Sequence, residues 1–130
     1  MFRKLRTRLA DLRRNTAGNA TVLVAVGLPA LIGGSGLAVD TAQWYLWKRE
    51  LQHSVDQAAL SAAWAMSNED SADNYEERAM QEFTVNQNVT RDFTSTPQIA
   101  LADFAGGDDN SVVVTATATK ALPFSNFLTG

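Results

Sequence analysis

His53 is the sole histidine of this sequence, and no cysteine accompanies it. Nucleophilic, acid–base and metal chemistry draw heavily on those two residue types, so the supply of reactive groups is thin. His53 lies among Lys, Arg, Glu and Gln side chains and reads as a solvated surface residue. Asp108 and Asp109 fall in the run AGGDDN, which is turn chemistry, where solvated aspartate is the ordinary case. The acids Glu69, Asp70, Asp73, Glu76 and Glu77 lack the spaced D-x-D-x-D-G order of a calcium loop and read as a solvated face. No phosphate-cradling glycine loop precedes a helix. The expectation is a chain that is not an enzyme, holds no metal or cofactor and takes no small-molecule substrate. Two carboxylates stand out instead. Asp40 and Asp56 have no lysine or arginine three or four positions away, so the ion pairs that settle such charges on a helix are missing. Either solvent satisfies them, or they meet a cationic group on a partner helix.

The element that must position them is set by charge. Residues 1–39 carry Arg3, Lys4, Arg6, Arg8, Arg13 and Arg14 against Asp11, a net +5, whereas residues 40–130 sum to −8. Between Asn15 and Val39 there is no ionisable side chain, and Ala20 to Val39 is apolar over about the 20 residues that a helix needs to cross the hydrocarbon core of a bilayer. The basic cluster stays cytoplasmic by the positive-inside rule, which puts Asp40 and everything after it outside. Trp44, Tyr45 and Trp47 then fall just beyond the span, where aromatic rings favour the headgroup layer. The lipid bilayer is thus one expected partner, and the overall charge of −3 argues against nucleic acid. A cleavable secretory signal shares this plan, but its apolar run is shorter and ends at an A-x-A site. The nearest approach here is Gly36-Leu37-Ala38.

Asp40 to Met66 contains neither Gly nor Pro and is rich in Ala, Leu, Gln and Glu, so the spanning helix is expected to continue without a break from Asn19 to Met66, roughly 70 Å at 1.5 Å per residue. Leu51, Val55, Ala58, Ala59, Ala62 and Met66 recur at steps of three and four and form an apolar stripe. Within the span, Gly27, Pro29, Gly33, Gly34 and Gly36 either reflect the ordinary tolerance of membrane helices for Gly and Pro, or soften the helix and let a second one pack closely.

The remainder predicts a small head. SNEDSADN breaks the long helix, Ser71 is a candidate N-cap, and a second helix is expected over 72–86, burying Tyr75, Ala79, Met80 and Phe83. The period then changes to that of strands over Gln98–Phe104 and Ser111–Lys120, joined by AGGDDN as an antiparallel hairpin. Val112, Val114, Ala116 and Ala118 should face inward. Leu122 to Gly130 carries Phe124, Phe127 and Leu128 without a charge and reads as a docked end or as a chain cut short. The fold class is α+β, divided into a basic segment 1–18, a long helix 19–66 and a head 67–130.

Arg13 to Met66 resembles the N-terminal region of the TadE/TadG-like proteins of tight-adherence (Flp-type) pilus assembly, most closely the TadG-like branch. Gly18, Asn19, Pro29, Gly36-Leu37-Ala38-Val39-Asp40, Leu51-Gln52, Asp56 and Ala58-Ala59-Leu60 carry the resemblance. It implies a pilin-like fold in the inner membrane of a bacterium, acting as a minor pilin or assembly factor, with other pilins or pilus-assembly proteins as partners through the long helix. It also implies a processing point between Gly18 and Asn19. Leu23 stands where processed members carry Glu, so cleavage is expected to be absent or inefficient. The second reading of function is a membrane-anchored periplasmic binding or scaffolding module that never enters a filament. Trimming at Gly18 and recovery in sheared surface fibres separate the two.

Overall fold

The computed structural model describes residues 17–129, so the basic cluster between Arg3 and Arg14 lies outside the described residues. The element order is a long helix α1 (Ala17–Met66), a 3-10 turn (Ala72–Asn74), helix α2 (Tyr75–Asn86), a second 3-10 turn (Arg91–Phe93), strands β1 (Gln98–Ala102) and β2 (Ser111–Thr115), and a short helix α3 (Pro123–Thr129). The fold is therefore α+β. Compactness divides the chain into two units, residues 1–39 and residues 40–130, and α1 contributes to both.

In the first unit the helix runs through Pro29 and its glycines without interruption. Ser35 Oγ donates to the Ile32 carbonyl at 3.0 Å, so its hydroxyl is satisfied within the helix. Val22, Leu23, Val24, Val26, Leu28, Leu31, Ile32, Leu37 and Val39 are all exposed. This is a helix long and apolar enough to cross a membrane, with none of its apolar window buried inside the chain. A surface of that kind is stable in hydrocarbon, not in water.

In the second unit, α1 stops at Met66 because side chains take over its last carbonyls. Ser67 Oγ and Asn68 Nδ2 donate to the Trp64 carbonyl at 2.7 and 2.8 Å, and Ser71 Oγ donates to Ala65 O at 3.0 Å. Ser71 is thereby drawn away from the N-cap role predicted for it. The Ala72–Asn74 turn comes first, α2 begins at Tyr75, and its N-cap Asn74 makes no side-chain bond. Glu76 and Glu77 in the first turn of α2 suit the positive end of the helix.

The core joins Ala58 and Ala62 of α1, Ala79 and Phe83 of α2, and Val114 of β2, with Leu51, Val55, Ala59, Tyr75, Ile99, Val112 and Ala116 packed around them. Phe83, 3% exposed, is the largest apolar side chain in this cluster, and the alanines let α1 and α2 approach closely. Met80, expected inside, stays on the surface because it lies one residue past the inward position Ala79. The strands pair antiparallel from Gln98↔Thr115 to Ala102↔Ser111. Val112, Val114, Ala116 and Ala118 are more enclosed than Val113, Thr115, Thr117 and Thr119, as the alternation predicted.

Both strands are shorter than the alternation suggested. Phe104, 69% exposed, belongs to the connecting loop, where Asn110 Oδ1 accepts its amide at 2.7 Å and Asn110 Nδ2 donates to its carbonyl at 2.9 Å. Ala105, Gly106 and Asp109 take positive φ in this loop, and a Cβ on Gly107 would collide with the Asn110 side chain. Beyond Thr115 the pairing changes register, since an isolated bridge joins Thr94 and Ala118. One extra residue lies on the side containing Pro97, which has no N–H for a ladder, so the sheet is broken there by a bulge.

Candidate functional site on the long helix

Asp40 is the first residue of the second unit and is only 2% exposed. Its Oδ1 accepts the Phe124 amide at 3.0 Å, and its Oδ2 accepts both the amide and the hydroxyl of Ser125 at 2.6 Å. Those amides open α3 and have no carbonyl to bond within it. Asp40 thus caps a helix that lies 84 residues further on, where a negative charge also suits the positive end of the helix. The cationic partner sought for Asp40 is replaced by three donors of the same chain. Spacing along one helix could not reveal them, because the complementary group is distant in sequence.

Glu50 makes a second clamp of the same kind, and nothing in the sequence reading singled it out. Its Oε1 accepts the amides of Asn88 and Thr90 at 2.8 and 2.9 Å and the Thr90 hydroxyl at 2.9 Å. Burial pushes the Glu50 carboxyl up, but the bonds from Thr90, Asn88 and Val89 outweigh it and hold the group below its ordinary value. Thr90, fully enclosed, is fixed by this contact at the turn leading to Arg91–Phe93. Along α1, Asp40, Trp47, Ser54, Ala58, Ala62 and Ala65 share one inward stripe, and Glu50 falls within it.

Trp47 packs edge-on against Phe93, with ring centroids 5.2 Å apart at 65°. Lys120 Nζ lies 4.6 Å from the Phe93 centroid and 5.7 Å from that of Trp47, close enough for cation–π attraction to both. Trp47 therefore packs against the head through Phe93. Trp44 and Tyr45 stay exposed, with Lys48 Nζ 5.3 Å from the Trp44 ring. An open groove of about 780 Å³ runs beside these residues, lined by Leu46, Trp47, Arg49, His53, Val89 and Pro123 among others.

Asp56 is exposed and accepts a bond from Gln52 Nε2 at 2.9 Å. His53 is exposed, as are Leu60 and Trp64 further along α1, Trp64 by 64%. Gly18, Gly27, Gly33 and Gly34 have open space where a side chain would be, and Gly36 is half-buried. The hairpin loop gathers Asp103, Asp108 and Asp109 with carboxylate oxygens within 4.8 Å of one another. All three are exposed, and the Asp109 amide donates to Asp103 Oδ1 at 2.9 Å, so the cluster is at least partly a loop-closing device.

Residues 18–65 match one family model, Tad, described as putative Flp pilus-assembly TadE/G-like. The matched residues lie wholly within α1, and the match does not separate the TadE-like from the TadG-like branch. No curated protein and no solved structure matches the chain significantly.

Proposed function

Taking residues 18–65 as a TadE/G-like segment of Flp pilus assembly, we propose that the chain is a pilin-like structural subunit or assembly factor of such a pilus, of the TadG-like branch, acting through helix packing. Residues 20–39 cross the inner membrane, residues 1–18 stay in the cytoplasm, and the head folds on the outer side. One observation carries the reading. The matched helix is apolar and exposed over its first half, and among the glycines of that half Gly18, Gly27, Gly33 and Gly34 leave open backbone against which another helix can pack. Pro29 and the glycines make the same segment easier to bend when it packs. Trp44 and Tyr45 anchor the bilayer surface, and exposed Asp56 offers its charge to a cation on a partner helix.

The experiment is isolation of the protein from membranes and from sheared surface fibres, followed by mass spectrometry of its N-terminus. Recovery with other pilus components supports the proposal, and the N-terminal mass reports whether the bond between Gly18 and Asn19 is cut. With Leu23 in place of an acid, Arg3 to Arg14 should remain attached. A chain that never co-purifies with pilus proteins, in membranes or in fibres, would favour the scaffolding alternative.

A further inference from the structure

We infer that α3 is a second membrane contact, lying in the headgroup layer with Phe127 and Leu128 against the lipid. The inference rests on reading residues 20–39 as the span. Val39 ends that span, and Asp40, the next residue, holds the Phe124 and Ser125 amides at 3.0 and 2.6 Å. The start of α3 is therefore within one side chain of the edge of the hydrocarbon. Phe127 is two residues past Ser125, so its backbone is at most about 7 Å further away. The interfacial layer is itself roughly 5–8 Å deep on each side of the bilayer, so α3 begins inside it.

The composition of the segment fits that depth. Ala121 to Gly130 carries no charge, while Lys120 immediately precedes it. Phe124 and Ser125 turn inward to the head, and Phe127 and Leu128 are 83% and 62% exposed. Two large apolar side chains on an uncharged turn of helix are costly in water and favoured at a lipid boundary. Phe104 in the hairpin loop supplies the contrast: it is as exposed in kind, but its loop carries Asp103, Asp108 and Asp109.

Because the sequence contains no cysteine, a single introduced thiol reports its own position. Full-length chains carrying Phe127→Cys, Leu128→Cys, Phe104→Cys or Ile32→Cys, each labelled with an environment-sensitive fluorophore, are placed in phospholipid nanodiscs containing lipids brominated at shallow or deep acyl positions. Shallow bromines should quench positions 127 and 128 on the order of threefold more than position 104, and deep bromines should quench position 32. Quenching at 127 and 128 no stronger than at 104, with position 32 quenched, overturns the inference and leaves the span intact. A blue-shifted label at 127 that bromine does not quench identifies a protein surface as the occupant and also overturns it. Absence of quenching at position 32 removes the span, and the inference with it.

Discussion

Asp40 and Ser125 share two hydrogen bonds of 2.6 Å, one from the Ser125 amide and one from its hydroxyl, across 85 residues of chain. The carboxylate belongs to the long helix, and the donors belong to the first turn of a helix too short to stand alone. That dependence makes the pair testable. Replacing Asp40 by Ala should leave the Phe124 and Ser125 amides uncapped, and hydrogen exchange at those amides should quicken on the order of tenfold, as expected for loss of an N-cap. The amides of α2 should be unaffected. Unchanged exchange at 124 and 125 would show that α3 is held by something other than Asp40.

Glu50 gives the head a pH dependence of known sign. Its carboxyl is held below the ordinary value of about 4.5 in the folded state, so the stability it contributes is complete above that value and is lost as pH falls through the lowered folded value. Thermal melts of the detergent-solubilised chain should show a falling Tm as pH drops from about 5 to about 3. Glu50→Gln should lower Tm at neutral pH and flatten that slope. An equal slope in both proteins would assign the acid sensitivity to other carboxylates.

Phe83 fills the centre of a core otherwise built mostly from alanine and small β-branched residues. Phe83→Ala should destabilise the head by about 3–5 kcal/mol, because the alanines around it have no side chain to move into the gap. Phe83→Leu should cost markedly less. Urea unfolding followed by tryptophan fluorescence measures both, and Trp47, packed on Phe93, is a reporter within the head.

Asp56 is the carboxylate left for an intermolecular role. Asp56→Asn should keep the head folded, since the exposed side chain bonds only locally to Gln52 among the contacts described, yet reduce co-purification with pilus components by several-fold. Asp40→Asn, by contrast, should act first on exchange at Phe124 and Ser125. Full association of the Asp56→Asn protein would remove this residue from the interface.

The long helix was legible because its signals are local: a charge-free stretch, then a run without Gly or Pro, then SNEDS. The hairpin was legible from alternation, but its ends were not. Phe104 continued the apolar pattern while the loop required it elsewhere, and Pro97 shifted the register where the alternation of 111–120 gave no warning. Ser71 was a sound N-cap by type, yet the end of α1 competed for the same hydroxyl. The two carboxylate clamps escaped for a common reason. Helix rules weigh neighbours three and four positions away, and Asp40 and Glu50 find their partners some forty to eighty-five residues downstream.

The tie between Asp40 and Ser125 also dictates when the head can finish folding. If the chain is exported as proposed, Asp40 reaches the far side of the membrane early and waits, its carboxylate hydrated, until Phe124, 84 residues further on, follows it. The α2–β hairpin core contains neither partner and can assemble in the meantime. Closing a loop of that length costs only slowly increasing entropy, so the delay is set by synthesis and transport more than by chain search. Until residues 124 and 125 emerge, the carboxylate stays open to water, and its capture is a latch that registers the arrival of the C-terminal segment.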